Sequence, residues 1–329
     1  MSQGRELRMP FLRFLGIACL TVATLALGHP PAQAQSGRTI KIIVPYPPGS
    51  GPDITSRLMA EQISRMQNVS MVVENRPGGG TLIGTEAAMR AEPDGNTLLL
   101  VANSFVVNPA LKPQPYDVSK SFDPVCQLAT TPMILVVQGS SPYKKLEDLM
   151  SAARAKSGEL SVGAAPASSL QVAYEVLKRA AKVEMTFVPY PGTAPAINTL
   201  LGGHITAVMA DYPTVVSHLK SGAVRGLVTA SPKRVSELPD IPTMIDTKLT
   251  NYQAEIFYGL VVPAKTPPQA TAQLSEWFTA AMQASEVKPK LAAQGLFSNI
   301  VCGKAFGDQM RKQVDEYTTI AREANIKVN

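Results

Sequence analysis

The chain has 329 residues, 31 Lys and Arg against 25 Asp and Glu, a formal net charge of +6 and 45% hydrophobic residues. So mild a charge, with no five-residue basic block and only 6% aromatics, excludes a nucleic-acid surface built on a basic stripe and stacked rings. The three cysteines and three histidines are scattered without metal-ligand spacing, so neither a metal nor a cofactor is expected.

The first residues read as a secretory leader. Arg5, Arg8 and Arg13 precede an apolar stretch from Phe14 to Gly28, and Ala32-Gln33-Ala34 is a small-x-small cleavage pattern. The stretch is about 15 residues long, short of the roughly 20 that span a bilayer. The expectation is a signal peptide over residues 1–34, cleaved near Ala34, and export to the periplasm. Loss of three arginines and Glu6 with the leader leaves a charge near +4. A remainder of this size accommodates two medium cores, so two domains are expected. Cys126 and Cys302 stay in the mature chain, where an oxidising compartment permits a bridge. Spacing alone leaves them equally well two buried small hydrophobes.

From residue 39 onward, short β-rich runs alternate with longer helical ones. Strands are expected at 40–44, 71–73 and 97–101, with helices at 53–66 and 81–90 between them. After a strand at 133–137, a second series follows: helices 146–155, 168–180, 194–201 and 212–221 alternate with strands 160–163, 185–188, 205–210 and 224–229. A strand at 256–262 and helices at 268–284 and 305–324 complete the chain. Alternation of this kind predicts an α/β fold with largely parallel sheets. In such sheets ligands bind beyond the carboxyl ends of the strands.

Four strand-to-helix loops are built from small residues and proline: Pro47-Pro48-Gly49-Ser50-Gly51, Pro77-Gly78-Gly79-Gly80, the run from Gly163 to Ser168, and Pro191-Gly192-Thr193. A helix amino terminus carries unpaired N–H donors and a partial positive charge, and small residues let an anion approach them. Asp53 fits a first-turn acid favoured by the helix dipole, with Pro52 opening the helix and Gly51 as its cap, but also a ligand for an amine. Asp211, directly after an apolar strand, fits a helix cap as well as a partner for a ligand ammonium or hydroxyl. Ser50 and Ser168 fit caps that also face an anion.

With these residues in view, the chain resembles the Bug family of extracytoplasmic solute-binding proteins, the receptors associated with tripartite tricarboxylate transporters. The resemblance rests on V-P-Y-P-P-G-S-G-P-D at 44–53, V-V-E-N-R-P-G-G-G-T-L-I-G at 72–84 and A-E-P-D-G-N-T-L-L-L at 91–100. Asn108-Pro109, Tyr116-Asp117, Val188-Pro189-Tyr190, Leu200-Leu201-Gly202-Gly203, Lys233-Arg234 and the run from Leu238 to Thr243 extend it over the mature chain. It implies a two-domain fold like that of periplasmic binding proteins, each domain a mixed, mostly parallel sheet flanked by helices, with two crossover strands. The expected domains are 36–137 plus 255–329, and 138–254.

The same resemblance implies a small carboxylate ligand held at the first loop by backbone amides and ordered water. Carried over, it places Gly49, Ser50 and Gly51 at the carboxylate, with Tyr46 as a wall and Ser104 after the third strand. Ala165, Ser168, Gly192, Thr193 and Asp211 come from the second domain. One loop departs from the family pattern: where relatives run Ser-x-Gly-x-Gly-Thr and then His, this chain has Ala165 and Ala167 for the two glycines and Gln171 for the His. Pro166 adds stiffness there and removes a donor.

The function implied is a monomeric periplasmic receptor, not an enzyme, delivering its ligand to membrane permease subunits. A sensor reporting occupancy to a membrane kinase needs the same features. An exported enzyme acting on a small anion is the remaining alternative, and no Ser or Cys nucleophile motif supports it.

Overall fold

The computed structural model describes residues 37–323 and Ile326. The expected signal peptide lies outside the described residues. The chain opens with β1 (Thr39–Val44), α1 (Gly51–Gln67), β2 (Ser70–Asn75), a 3-10 turn (Gly79–Thr81), α2 (Leu82–Met89), β3 (Thr97–Ala102) and α3 (Ser104–Leu111). A long strand, β4 (Phe122–Gln138), leads into α4 (Leu146–Ala155), β5 (Ser161–Ala164), α5 (Ser169–Ala181), β6 (Thr186–Pro189), α6 (Thr193–Leu201), β7 (Ala207–Asp211), α7 (Tyr212–Lys220) and β8 (Val224–Thr229). The chain then returns through β9 (Glu255–Pro263) to α8 (Pro268–Gln283), α9 (Val287–Ala293), β10 (Phe297–Cys302) and α10 (Gly303–Glu323).

The strands join in the order β2-β1-β3-β9-β4-β7-β5-β6, with β8 and β10 also paired to β4. β4 is the spine. Its first part, up to Pro132, pairs antiparallel with β9 and β10, and from Met133 it pairs antiparallel with β7 and β8. On one side β1 pairs parallel with β2 and β3; on the other β5 pairs parallel with β6 and β7.

Both faces of each half are covered, which explains why the strands read as unbroken apolar runs. Alternate residues of one strand serve different cores. Ile40, Ile42 and Val44 enter the cluster that includes Met59 and Ile63 of α1, whereas Ile43 joins Phe105 and Phe306 on the opposite face. In the second half Met133, Leu135 and Val137 face Leu149 and Tyr174, and Ile134 and Val136 face Ile197 and Val215.

Four elements differ from the sequence expectation. β4 starts at Phe122, not at 133, despite Pro124 and Pro132. Proline removes a ladder donor, yet Pro124 lies at a register irregularity and Pro132 at the point where β4 changes partners, so each sits where the ladder is already interrupted. α3 has no counterpart among the expected elements, and it continues through Pro109, its sixth residue, although proline removes a helical donor. α9 and β10 have too little periodic signal for their lengths. Cys126 and Cys302 stand opposite each other on β4 and β10 and are joined by a disulfide, their Cα atoms 4.0 Å apart. Among the described residues no helix is long and apolar enough to cross a membrane.

Candidate functional site

Strand direction brings the helix starts together. β3 is antiparallel to β9 and β9 to β4, so β3 runs with β4; β7 runs against it. The end of β3, at Ala102, lies level with Tyr258 of β9 and Ala129 of β4, while the end of β7, at Asp211, lies level with Met133. The carboxyl ends of the two strand sets therefore face each other across four residues of β4, about 13 Å at ~3.3 Å per residue. The helices α1, α3, α5, α6 and α7 begin at these ends, and their amino termini share one cleft.

The first loop is pinned from within. Ser50 is the cap of α1, but its hydroxyl donates to the Pro47 carbonyl at 2.7 Å and its N–H points to the same oxygen at 3.3 Å. The helix starts one residue earlier than Pro52 suggests, with Gly51 as its first residue. Asp53 is buried and accepts from the Gly49 N–H (2.9 Å), Arg57 Nε (3.0 Å) and Asn75 Nδ2 (2.8 Å). Burial alone would raise its carboxyl, but the bonds from Arg57, Gly49 and Asn75 outweigh it and hold the group below its usual 3.8. Asp53 thus closes the loop, as a first-turn acid can.

The two glycines are needed for different reasons. Gly49 has φ +79 with open space around its missing Cβ, so the requirement is conformational. A Cβ on Gly51 would lie 2.7 Å from the Tyr258 hydroxyl, so there the requirement is room. Among the described residues, the N–H groups of Gly51 and Asp53 have no acceptor. They are the donors this helix end leaves over. Tyr46 and Ser104 share a hydrogen bond of 2.5 Å between their hydroxyls, and burial, against that bond, pushes the Tyr46 phenol up to about 12.

The second half answers with three helix starts. Ser168 caps α5: its oxygen accepts from the Gln171 N–H at 3.4 Å and donates to the Ala165 carbonyl at 2.6 Å. Ala167 has φ +52, a left-handed conformation that glycine adopts freely, and its N–H donates to Gln171 Oε1 at 2.8 Å. Gly192 caps α6 in extended backbone, with nothing near its missing Cβ. Asp211 caps α7: Oδ2 accepts from the Thr214 hydroxyl at 2.7 Å and the Thr214 N–H at 3.3 Å, and Oδ1 accepts from the Thr193 hydroxyl. The cap reading of Asp211 is realised, and its Oδ1 keeps capacity for one more donor.

A model of the family described as "Tripartite tricarboxylate transporter family receptor" matches residues 55–325. The chain belongs to that receptor family. The receptor is 29% identical to protein BugT of Bordetella pertussis over 97% of this chain and 100% of that protein. Among solved structures, one described as a periplasmic transporter matches at 31% identity and a TM-score of 0.82, covering 90% of this chain and 100% of that one. MatC from Rhodopseudomonas palustris, solved with bound malate, matches at 26% identity and 0.77, covering 86% and 98%. The fold is that of periplasmic binding proteins, and the family is one of solute-binding receptors.

Two further residues of the receptor are absent from the sequence reading. Asn103, 2% exposed, ties the end of β3 to β9: it accepts from the Phe257 N–H at 2.8 Å and donates to the Glu255 carbonyl and the Tyr317 hydroxyl, both at 3.0 Å. Tyr258 lies beneath the first residue of α1. The motif Ile256-Phe257-Tyr258 reads as buried strand, and only long-range register shows where its rings end. Among the described residues no group of three His, Cys, Asp or Glu could hold a metal.

Proposed function

We propose that this protein is a periplasmic receptor that holds a small organic carboxylate in the cleft and hands it to membrane permease subunits of a tripartite tricarboxylate-type transporter. The observation that carries this reading is the convergence of helix amino termini from both halves, with the N–H groups of Gly51 and Asp53 unpaired among the described residues. Such a site favours an anion through backbone donors and helix dipoles. The proposed contacts are Tyr46, Gly49, Ser50, Gly51, Asp53 and Ser104 on one side, and Ala165, Ser168, Gly192, Thr193 and Asp211 on the other. Within this set Gly49 and Asp53 act chiefly by shaping the loop, since the Gly49 N–H is spent on Asp53. None of the eleven is Lys or Arg, so the carboxylate would be neutralised by dipoles and hydroxyls. The spare capacity of Asp211 favours a ligand with a hydroxyl or ammonium group, of which malate, the ligand of MatC, is one chemical example.

The two halves would act as domains, 36–137 plus 255–329 and 138–254, closing on the ligand by hinge motion. The molecule would work as a monomer and release its ligand unchanged. Export through cleavage near Ala34 belongs to the same proposal. In a melting assay, at least one of malate, citrate, adipate and aspartate should raise Tm progressively with concentration, by about 2.7 kcal/mol of stabilisation at a hundred times Kd. Unmoved curves with all four at millimolar concentration would count against the carboxylate reading. Mass spectrometry of the incubated ligand should recover it intact; a product would favour an enzyme.

A further inference from the structure

The cleft contains one polar group that neither the loops nor the caps account for. Tyr258 is 4% exposed, and its ring packs with Val44 and Met59 in the core beneath α1. Its hydroxyl reaches the first residue of that helix, 2.7 Å from where a Gly51 Cβ would stand. Among the described residues this oxygen has no hydrogen-bond partner. Nor is it sealed: the enclosed, unpaired side-chain oxygens among the described residues belong to Thr229, Ser231, Tyr252 and Gln313. A nearly buried tyrosine usually pairs its hydroxyl, because leaving it dry and unpaired is costly. Here the oxygen stands instead at the first residue of α1, whose Gly51 N–H has no acceptor among the described residues.

We infer that Tyr258 is a ligand-contacting residue, its hydroxyl donating to the bound carboxylate together with the amino terminus of α1. The inference rests on the carboxylate reading above and names the donor that completes that end of the site. Burial first, then the nearby Asp211 carboxylate and Tyr46, hold the phenol well above its ordinary value, so it remains a neutral donor at physiological pH. The position also explains Gly51. A side chain there would push the phenol away from the helix terminus, so the helix start and the tyrosine act as one unit.

The test is Tyr258→Phe, which keeps the ring and removes only the oxygen, assayed by titration calorimetry with malate, citrate, adipate and aspartate on the full mature chain. Affinity for whichever acids the wild type binds should fall roughly 10- to 150-fold, the loss expected for one hydrogen bond to a charged acceptor. The ligand-free melting temperature should hold or rise, because no protein partner is lost. Gly51→Ala should weaken binding too, and the double variant should bind no worse than the weaker single variant. Equal affinity in wild type and Tyr258→Phe would overturn this inference and leave the receptor reading standing. A fall in ligand-free melting temperature with unchanged affinity would assign the phenol to packing and overturn it as well. A wild type that binds none of the four acids would overturn both.

Discussion

The first-half loop at 45–53 and the second-half loop at 165–171 solve one problem with different residues. In each, the third helical residue reaches back four positions to the N–H just before the cap: Asp53 to Gly49, and Gln171 to Ala167. In each, that earlier residue has positive φ, +79 for Gly49 and +52 for Ala167. The first loop uses glycine and a charged acceptor, within the half that also carries the Cys126–Cys302 disulfide. The second uses alanine and a neutral amide. The staple holds the same loop shape where the left-handed position carries alanine instead of glycine, at a conformational cost of roughly 1–2 kcal/mol for a left-handed non-glycine residue.

The largest asymmetry between the halves should be covalent. The disulfide closes a loop with a sequence separation of 176, so Cys302→Ser should cost about 5 kcal/mol in denaturant unfolding by the loop-entropy relation. Protection from hydrogen exchange should fall first in β10 and in the first part of β4, up to Pro132. Uniform loss over both halves would mean that the two are not separable.

The staples come next. Asp53→Ala leaves the Gly49 N–H, the Asn75 amide and the Arg57 guanidinium without their shared acceptor, and should cost roughly 2–3 kcal/mol; Gln171→Ala should cost about 1 kcal/mol. Equal losses would remove the distinction between charged and neutral staples. The pair should also differ with pH. The folded-state pKa of Asp53 lies below its usual 3.8, so its contribution is full above that value and fades as pH falls through the lower folded value. The stability gap between wild type and Asp53→Asn should therefore shrink on acidification below about pH 4, whereas the Gln171→Ala gap should not change with Asp53 protonation.

The smallest effects concern the positive-φ residues, and they should have opposite signs. Gly49→Ala meets no steric contact but an unfavourable φ, and should destabilise by about 1 kcal/mol; Ala167→Gly should stabilise by about 0.5–1 kcal/mol. Chemical denaturation measures both. A destabilising Ala167→Gly would show that the alanine methyl, not the staple, holds the loop.

Much of this architecture is legible in the sequence because both sheet faces are buried. Runs such as Leu98-Leu99-Leu100 have no reading other than interior strand or buried helix, and their flanking turns decide for strand. The first part of β4 is hidden by Pro124 and Pro132, whose tolerance depends on irregular pairing with a strand more than a hundred residues away. The loops are legible through their glycines and prolines, and Asp53 through its place in the first helical turn. The bond from Gly49 to Asp53 and the Tyr258 hydroxyl beside Gly51 are not. They follow from loop geometry and from the register of β9 between β3 and β4, which composition does not encode locally.

Helix termini and hydroxyls of both halves would hold a carboxylate without a cationic side chain. That arrangement is tested most directly by titrating the wild-type protein calorimetrically with a free acid it binds and with the fully methylated ester of that acid. Saturable one-to-one heat is expected from at least one of malate, citrate, adipate and aspartate, and none from the matching ester. Silence from all four acids, or equal affinity for acid and ester, would contradict it.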